Sequence, residues 1–112
     1  MSELKEIIEF LVNFRNERDW EQFHNAKNLA IAISIEAAEL NELFLWKTLE
    51  ECNDVDREKI QDEVADIMIY SLFLSAKFGF DVRKAIMSKM LKNAAKYPVN
   101  KAKGNAKKYS EL

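Results

Sequence analysis

Apolar residues recur at helical spacing along most of this 112-residue chain, and little interrupts them, because it holds only two glycines and one proline. A period of 3.6 puts residues i, i+3, i+4 and i+7 on one face. A chain so poor in turn formers lacks the punctuation that an all-β fold needs. Leu4, Ile7, Ile8, Leu11 and Val12 make the first such stripe, with Ser2 placed to cap it, and predict a helix over about 2–17. RDWEQFHN (18–25) breaks the pattern and reads as an aromatic connector. A second helix is expected over about 26–47. Its stripe is Leu29, Ala32, Ile33, Leu40, Leu43 and Phe44, and Ile31, Ile35, Ala38 and Leu45 make it apolar nearly all round.

ECNDVDRE (51–58) is a polar connector in which Asp54 or Asp56 can cap a third helix, about 55–78, carrying Ile60, Val64, Ile67, Met68, Leu72 and Phe73. Gly79 stands where a helix-ending glycine belongs, with Phe80 behind it. Asp81 then caps a fourth helix, about 82–95, which Pro98 ends. The stretch from about residue 97 to 112 reads as an irregular basic tail. The expectation is an all-α chain, one four-helix domain over 1–112. Its second and third helices are too apolar for so small a monomer to cover, which points to a homo-oligomer that buries them in an intersubunit helical bundle.

Composition narrows the function classes. Apolar residues make up 48% of the chain, enough for a core. No run of about 18 apolar residues is present, so no membrane span is expected. MSELKEIIEF lacks the basic and apolar blocks of a secretory signal. Cys52 is alone, so no intrachain disulfide forms. One Cys and one His fall short of a zinc site. A cytoplasmic protein is expected. Residues 1–66 hold 17 acids and 7 bases, a balance of −10, whereas residues 67–112 hold 2 acids and 10 bases, a balance of +8. A nucleic-acid binder needs a basic footprint without a competing acidic one, so that class is disfavoured.

Four acids carry the chemistry. Glu36 and Glu39 are three apart and project from one face of the second helix, among Ala32, Ile33, Leu40 and Leu43. Glu63 and Asp66 repeat the device on the third helix, beside Ile60, Ile67 and Tyr70. The 23 residues between the pairs (40–62) suit a helix end, a loop and the start of an antiparallel helix, so the pairs can face each other. Clustered carboxylates repel. They are neutralised by basic side chains, or hold protons, or bind a divalent cation. An all-oxygen donor set suits Mg²⁺, or Mn²⁺. A di-iron site normally adds a Glu-x-x-His motif on each of two helices, and the single His24 is not so placed.

Lys89, Lys92, Asn93 and Lys96 follow i, i+3, i+4 and i+7 on the fourth helix, a solvated face taken singly and an anion clamp taken together. Trp20, Phe23 and His24 in the connector, Trp46 at the end of the second helix and Tyr70 one turn beyond Asp66 are aromatic candidates for a nucleobase.

The ordered blocks RDWEQFHNAKNL, EAAELNELFLWKT, DEVADIMIYSLFLS and SKMLKNAAKYPVNKAKGNAKKYSEL resemble the MazG-like all-α nucleotide pyrophosphohydrolases, and their dCTP pyrophosphatase branch in particular. The resemblance implies a Mg²⁺-dependent enzyme that splits deoxynucleoside triphosphates into monophosphate and pyrophosphate. It implies metal ligation and catalysis by Glu36, Glu39, Glu63 and Asp66, and a base and sugar pocket from Trp20, Phe23, His24, Trp46 and Tyr70. Lys89, Asn93, Lys96 and Tyr97 would approach the phosphates. The family's assembly is a tetramer of two tight dimers. Leu11 departs from it, standing where relatives can present a His to the base, which loosens a strict cytosine preference. The rival readings are a non-catalytic helical oligomer whose acids and lysines pair across an interface, and the same fold acting on dUTP or a phosphoribosyl nucleotide.

Overall fold

The computed structural model describes residues 2–112, and among them the regular structure is entirely helical. The helices are α1 (Glu3–Glu17), α2 (Ala26–Glu42), α3 (Arg57–Phe78), α4 (Val82–Lys96) and a short α5 (Val99–Ala102). Single 3₁₀ turns lie at Glu21–Phe23, Glu51–Asp54 and Tyr109–Glu111. None of the described helices is long and apolar enough to cross a membrane. The chain divides into two compact units, the first ending at Gly79 and the second covering Phe80–Leu112.

Caps fix where the helices begin. Ser2 Oγ accepts from Lys5 N–H at 3.2 Å, Asn25 Oδ1 from Asn28 N–H at 2.8 Å, Asp56 Oδ1 from Glu58 N–H at 3.0 Å and Asp81 Oδ1 from Lys84 N–H at 3.0 Å. Each bond satisfies an amide that the helix itself cannot. Of the two candidates before α3, Asp56 is the cap.

The helix ends explain how the first unit turns. Asp19 takes the left-handed conformation (φ 55°) after α1. Its N–H bonds Asn16 O at 3.1 Å, and Trp20 N–H bonds Arg15 O at 3.1 Å, the two crossed bonds of a Schellman motif. The apolar contact that accompanies such an end is Phe14 against Trp20, edge-on at 5.9 Å. Gly79 closes α3 in the same left-handed region (φ 70°), as its position predicts.

Two expectations change. The second helix stops at Glu42 rather than 47. Residues 43–45 tighten into i→i+3 bonds, and Trp46 turns left-handed (φ 64°), which breaks the ladder. A reciprocal capping box then starts the next turn, with Thr48 Oγ1 accepting from Glu51 N–H at 3.1 Å and Glu51 Oε1 from Thr48 N–H at 3.2 Å. The basic tail is not wholly irregular. Pro98 fixes the entry to α5, its carbonyl accepting from Lys101 and Ala102 N–H. Tyr109 then folds back on the end of α4, edge-on to Tyr97 at 6.1 Å and 4.7 Å beneath Lys96 Nζ.

In the first unit, α3 packs chiefly along α2 and less extensively on α1. Among the described residues few are buried: Leu29, Leu72, Phe73 and Ser75, whose hydroxyl donates to Leu72 O at 2.7 Å. On the same two helices Ile31, Ile35, Val64 and Met68 stay 40–53% exposed, so the apolar excess read from the sequence is left uncovered within the chain.

Candidate active site

The long α2–α3 contact brings the two acid pairs together. Glu36, Glu39 and Glu63 each offer a carboxylate oxygen within 4.8 Å of the others, and all three are half-buried. Asp66, one turn beyond Glu63, adds its charge to the field that Glu36 and Glu63 feel. Oε2 of Glu36 and Oε2 of Glu63 are buried and accept no hydrogen bond. The described salt bridges, Arg15–Glu21 and Arg18–Glu17, lie elsewhere, so no lysine or arginine neutralises the cluster within the first unit.

Glu36 and Glu63 are therefore shifted toward their protonated forms. Burial, then hydrogen bonding to Glu39 and the negative charges around it, pushes Glu36 up to about 7. Burial, followed by contact with Glu39, raises Glu63 as well. Two carboxyl groups hydrogen-bond only when one of them keeps its proton. Orphaned buried oxygens in an all-oxygen set of this kind fit a small divalent cation, and Glu36, Glu39, Glu63 and Asp66 would hold it.

Beside the acids lies a cavity of about 390 Å³. Phe10, Leu11 and Phe14 of α1 form one wall, Trp20 and His24 of the connector the next, and Ile69, Tyr70 and Phe73 of α3 the third, with Asp66 at its acidic edge. Its size falls within the usual range for small-molecule pockets, and its lining is apolar and aromatic with a few polar atoms. His24 meets Phe73 edge-on at 4.8 Å. Desolvation, and secondarily Arg15, lower its pKa, so the imidazole is neutral at neutral pH, and its buried Nδ1 has no partner. Tyr70 is raised by burial and then by Glu36, Asp66 and Glu39, so its hydroxyl keeps its proton.

The chain belongs to the MazG-like family. The family's model matches residues 31–112. This MazG-like chain is 40% identical over 114 aligned positions to dCTP pyrophosphatase 1 of Bos taurus, spanning 97% of the chain and 68% of that protein. It is similar to the Homo sapiens dCTP pyrophosphatase 1 to the same degree, over 67% of that protein. A solved pyrophosphatase from Archaeoglobus fulgidus superposes with a TM-score of 0.83 at 38% identity, covering 88% of this chain and 94% of that one.

The MazG-like fold thus gathers Glu36, Glu39, Glu63, Asp66, Trp20, His24 and Tyr70 into one region. Phe23, 59% exposed, does not line the cavity, although its carbonyl accepts from Asn28 Nδ2. Trp46 is 91% exposed and also lies outside the lining. In the second unit, Lys89, Lys92, Asn93 and Lys96 share one face of α4, and Tyr97 N–H bonds Asn93 O as the helix ends. The sequence reading missed Phe10, Phe14 and Ile69. A signal for them exists. Ile69 and Phe73 follow Asp66 at i+3 and i+7, on the acids' own face, and Phe10 and Phe14 are an i, i+4 pair beside the α1 stripe.

Proposed function

We propose that this chain hydrolyses deoxynucleoside triphosphates, with dCTP or a related pyrimidine nucleotide preferred, to the monophosphate and pyrophosphate. The observation that carries the reading is Asp66, which lines the aromatic cavity and whose charge acts on Glu36 and Glu63 of the acid cluster. A nucleotide laid across it puts its base among flat apolar faces and its phosphates at the acids. Trp20, Phe23, His24, Tyr70 and the exposed Trp46 are assigned to the base and sugar. Lys89, Asn93, Lys96 and Tyr97 are assigned to the phosphates.

Phosphates do not approach four carboxylates unaided. Glu36, Glu39, Glu63 and Asp66 would hold a Mg²⁺ or Mn²⁺ ion, which would supply positive charge opposite the phosphates and lower the pKa of bound water. The chain's own groups do the rest. Whichever carboxylate is not fully engaged with the cation would take a proton from the attacking water, with Glu36 and Glu39 as the candidates. Attack on the α-phosphorus in line with the leaving pyrophosphate needs the nucleotide fixed at both ends, and the cavity fixes the base end.

The exposed Ile31, Ile35, Val64 and Met68 support an oligomer; a dimer of dimers, with a single domain over 1–112 as its repeating unit and a cytoplasmic setting, is part of the same proposal. Pyrophosphate release measured over a panel of dNTPs with Mg²⁺ tests the activity. Turnover highest with dCTP or another pyrimidine is expected. No release from any dNTP overturns the reading, and turnover confined to dUTP, or to a phosphoribosyl nucleotide added to the panel, replaces the dCTP-type substrate while keeping the reaction.

A further inference from the structure

The aromatic wall of the cavity is braced by a residue that does not line it. Arg15 sits in the last turn of α1, and its side chain is only 12% exposed. Its carbonyl accepts from Trp20 N–H at 3.1 Å and Arg18 N–H at 3.2 Å. Its guanidinium donates through Nε and Nη2 to Asn16 Oδ1 at 3.1 and 3.0 Å, and Nη2 lies 3.9 Å from Glu21. The same group stands 5.9 Å from the centre of the Phe73 ring, the ring that meets His24. One side chain therefore joins α1, the connector and α3 behind the cavity.

Stability alone does not account for a cation in this place. Enclosing a guanidinium costs desolvation, and its acidic partner, Glu21, is 72% exposed, so the pair returns little. An apolar side chain would fill the space at lower cost. What the cation adds is a fixed charge behind the imidazole. His24 shares a cleft with Arg15 of α1, Glu21 of the connector and Lys77 of α3, and it faces Asp66 and Tyr70 across the cavity. His24 is held below its ordinary value first by burial and then by the charge of Arg15.

We propose that Arg15 is a positioning residue for the nucleotide pocket, holding Trp20, His24 and Phe73 in the arrangement that receives the base. The proposal rests on the nucleotide reading above. Arg15 touches no reacting atom. It presets the wall before substrate arrives and keeps the His24 ring an uncharged hydrogen-bonding group, so that recognition of the base does not vary with pH near neutrality.

The test uses the full chain with Arg15→Gln and Arg15→Lys. His24 is the only histidine, so its imidazole resonances report one titration and need no substrate. In Arg15→Gln the His24 titration is expected to move upward, and KM for the best dNTP to rise about tenfold while kcat stays within about twofold. Arg15→Lys keeps the charge and loses the fork. Its His24 titration is expected to stay near the wild-type value while KM still rises, and that arm decides the matter if Arg15→Gln fails to fold. Unchanged KM in a folded Arg15 variant, or a fall in kcat with KM unchanged, overturns the proposal, as does an unmoved His24 titration in a folded Arg15→Gln. A wild-type chain that releases no pyrophosphate overturns the nucleotide reading instead, a result visible before any variant is made.

Discussion

Replacing Glu36 with Gln should make the metal-free protein more stable while abolishing its activity. The substitution keeps the shape and removes one charge from a site where three carboxylates crowd within 4.8 Å. Glu36 is raised from 4.5 to about 7, so the folded chain favours its protonated form. The fold bears no penalty from this group below about pH 4.5, an increasing one through the interval, and the whole of it above about 7. At about 1.4 kcal/mol per unit the ceiling is ~3 kcal/mol, and water at this half-open site reduces it to ~1–2 kcal/mol. For a domain of this size that corresponds to a rise in Tm of about 5–10 °C. Thermal melts of both proteins in chelator, at equal concentration, should coincide near pH 5 and separate near pH 8, with the variant higher. Adding Mg²⁺ should raise wild-type Tm and leave the variant nearly unmoved. A variant less stable than wild type near pH 8, or a difference that does not change with pH, would refute the account of the acid cluster.

Three further outcomes follow from the same geometry. Glu63→Gln and Asp66→Asn should each abolish pyrophosphate release while leaving the far-ultraviolet circular dichroism of the helices unchanged; retained turnover removes the metal assignment. Asn25→Ala deletes the cap on Asn28 N–H and should cost about 1 kcal/mol in chemical denaturation, with no direct effect on kcat. Trp46→Gly removes a bulky residue from φ 64° and should leave the fold unharmed or stabilise it by about 1 kcal/mol, while KM for the nucleotide rises; unchanged KM frees Trp46 of any part in binding.

The parts of this molecule written in short-range pattern were legible in its sequence. The caps at Ser2 and Asp81 and the left-handed Gly79 each depend on a residue type beside a stripe and stand as read, and Asp56 is one of the two caps the sequence offers for α3. The facing of the acid pairs was legible because i, i+3 spacing fixes the face and a 23-residue gap fixes the return. The end of α2 was not. LFLW continues the apolar rhythm past Glu42, and the break is made by Trp46 adopting a conformation that bulky residues normally avoid. The one local warning was Thr48 three residues before Glu51, a capping box that announces a new turn. Leu11 reads in the sequence as one member of the α1 stripe and as a departure from relatives, whereas the fold places it with Phe10, Phe14, Ile69 and Phe73 in the apolar lining of the cavity. That lining is a tertiary object, built from α1, the connector and α3, whose side chains look like ordinary surface or core residues when taken one element at a time.

The same distinction explains why the acids sit where they do. A carboxylate on an apolar stripe is a defect for folding, and four of them cost more than any helix propensity returns. The chain tolerates them because α2 and α3 are joined by the longest packing contact in the first unit, and Leu29, Leu72 and Phe73 are buried in that unit. The penalty is thus concentrated at one place on an otherwise well-supported pair of helices. Burial raises Glu36 and Glu63, and this is what makes the site responsive to anything that brings positive charge. A solvated acid cluster would lie lower and would gain less from a cation. The strain that weakens the empty fold and the affinity proposed for metal and nucleotide are therefore one quantity, measured from two directions.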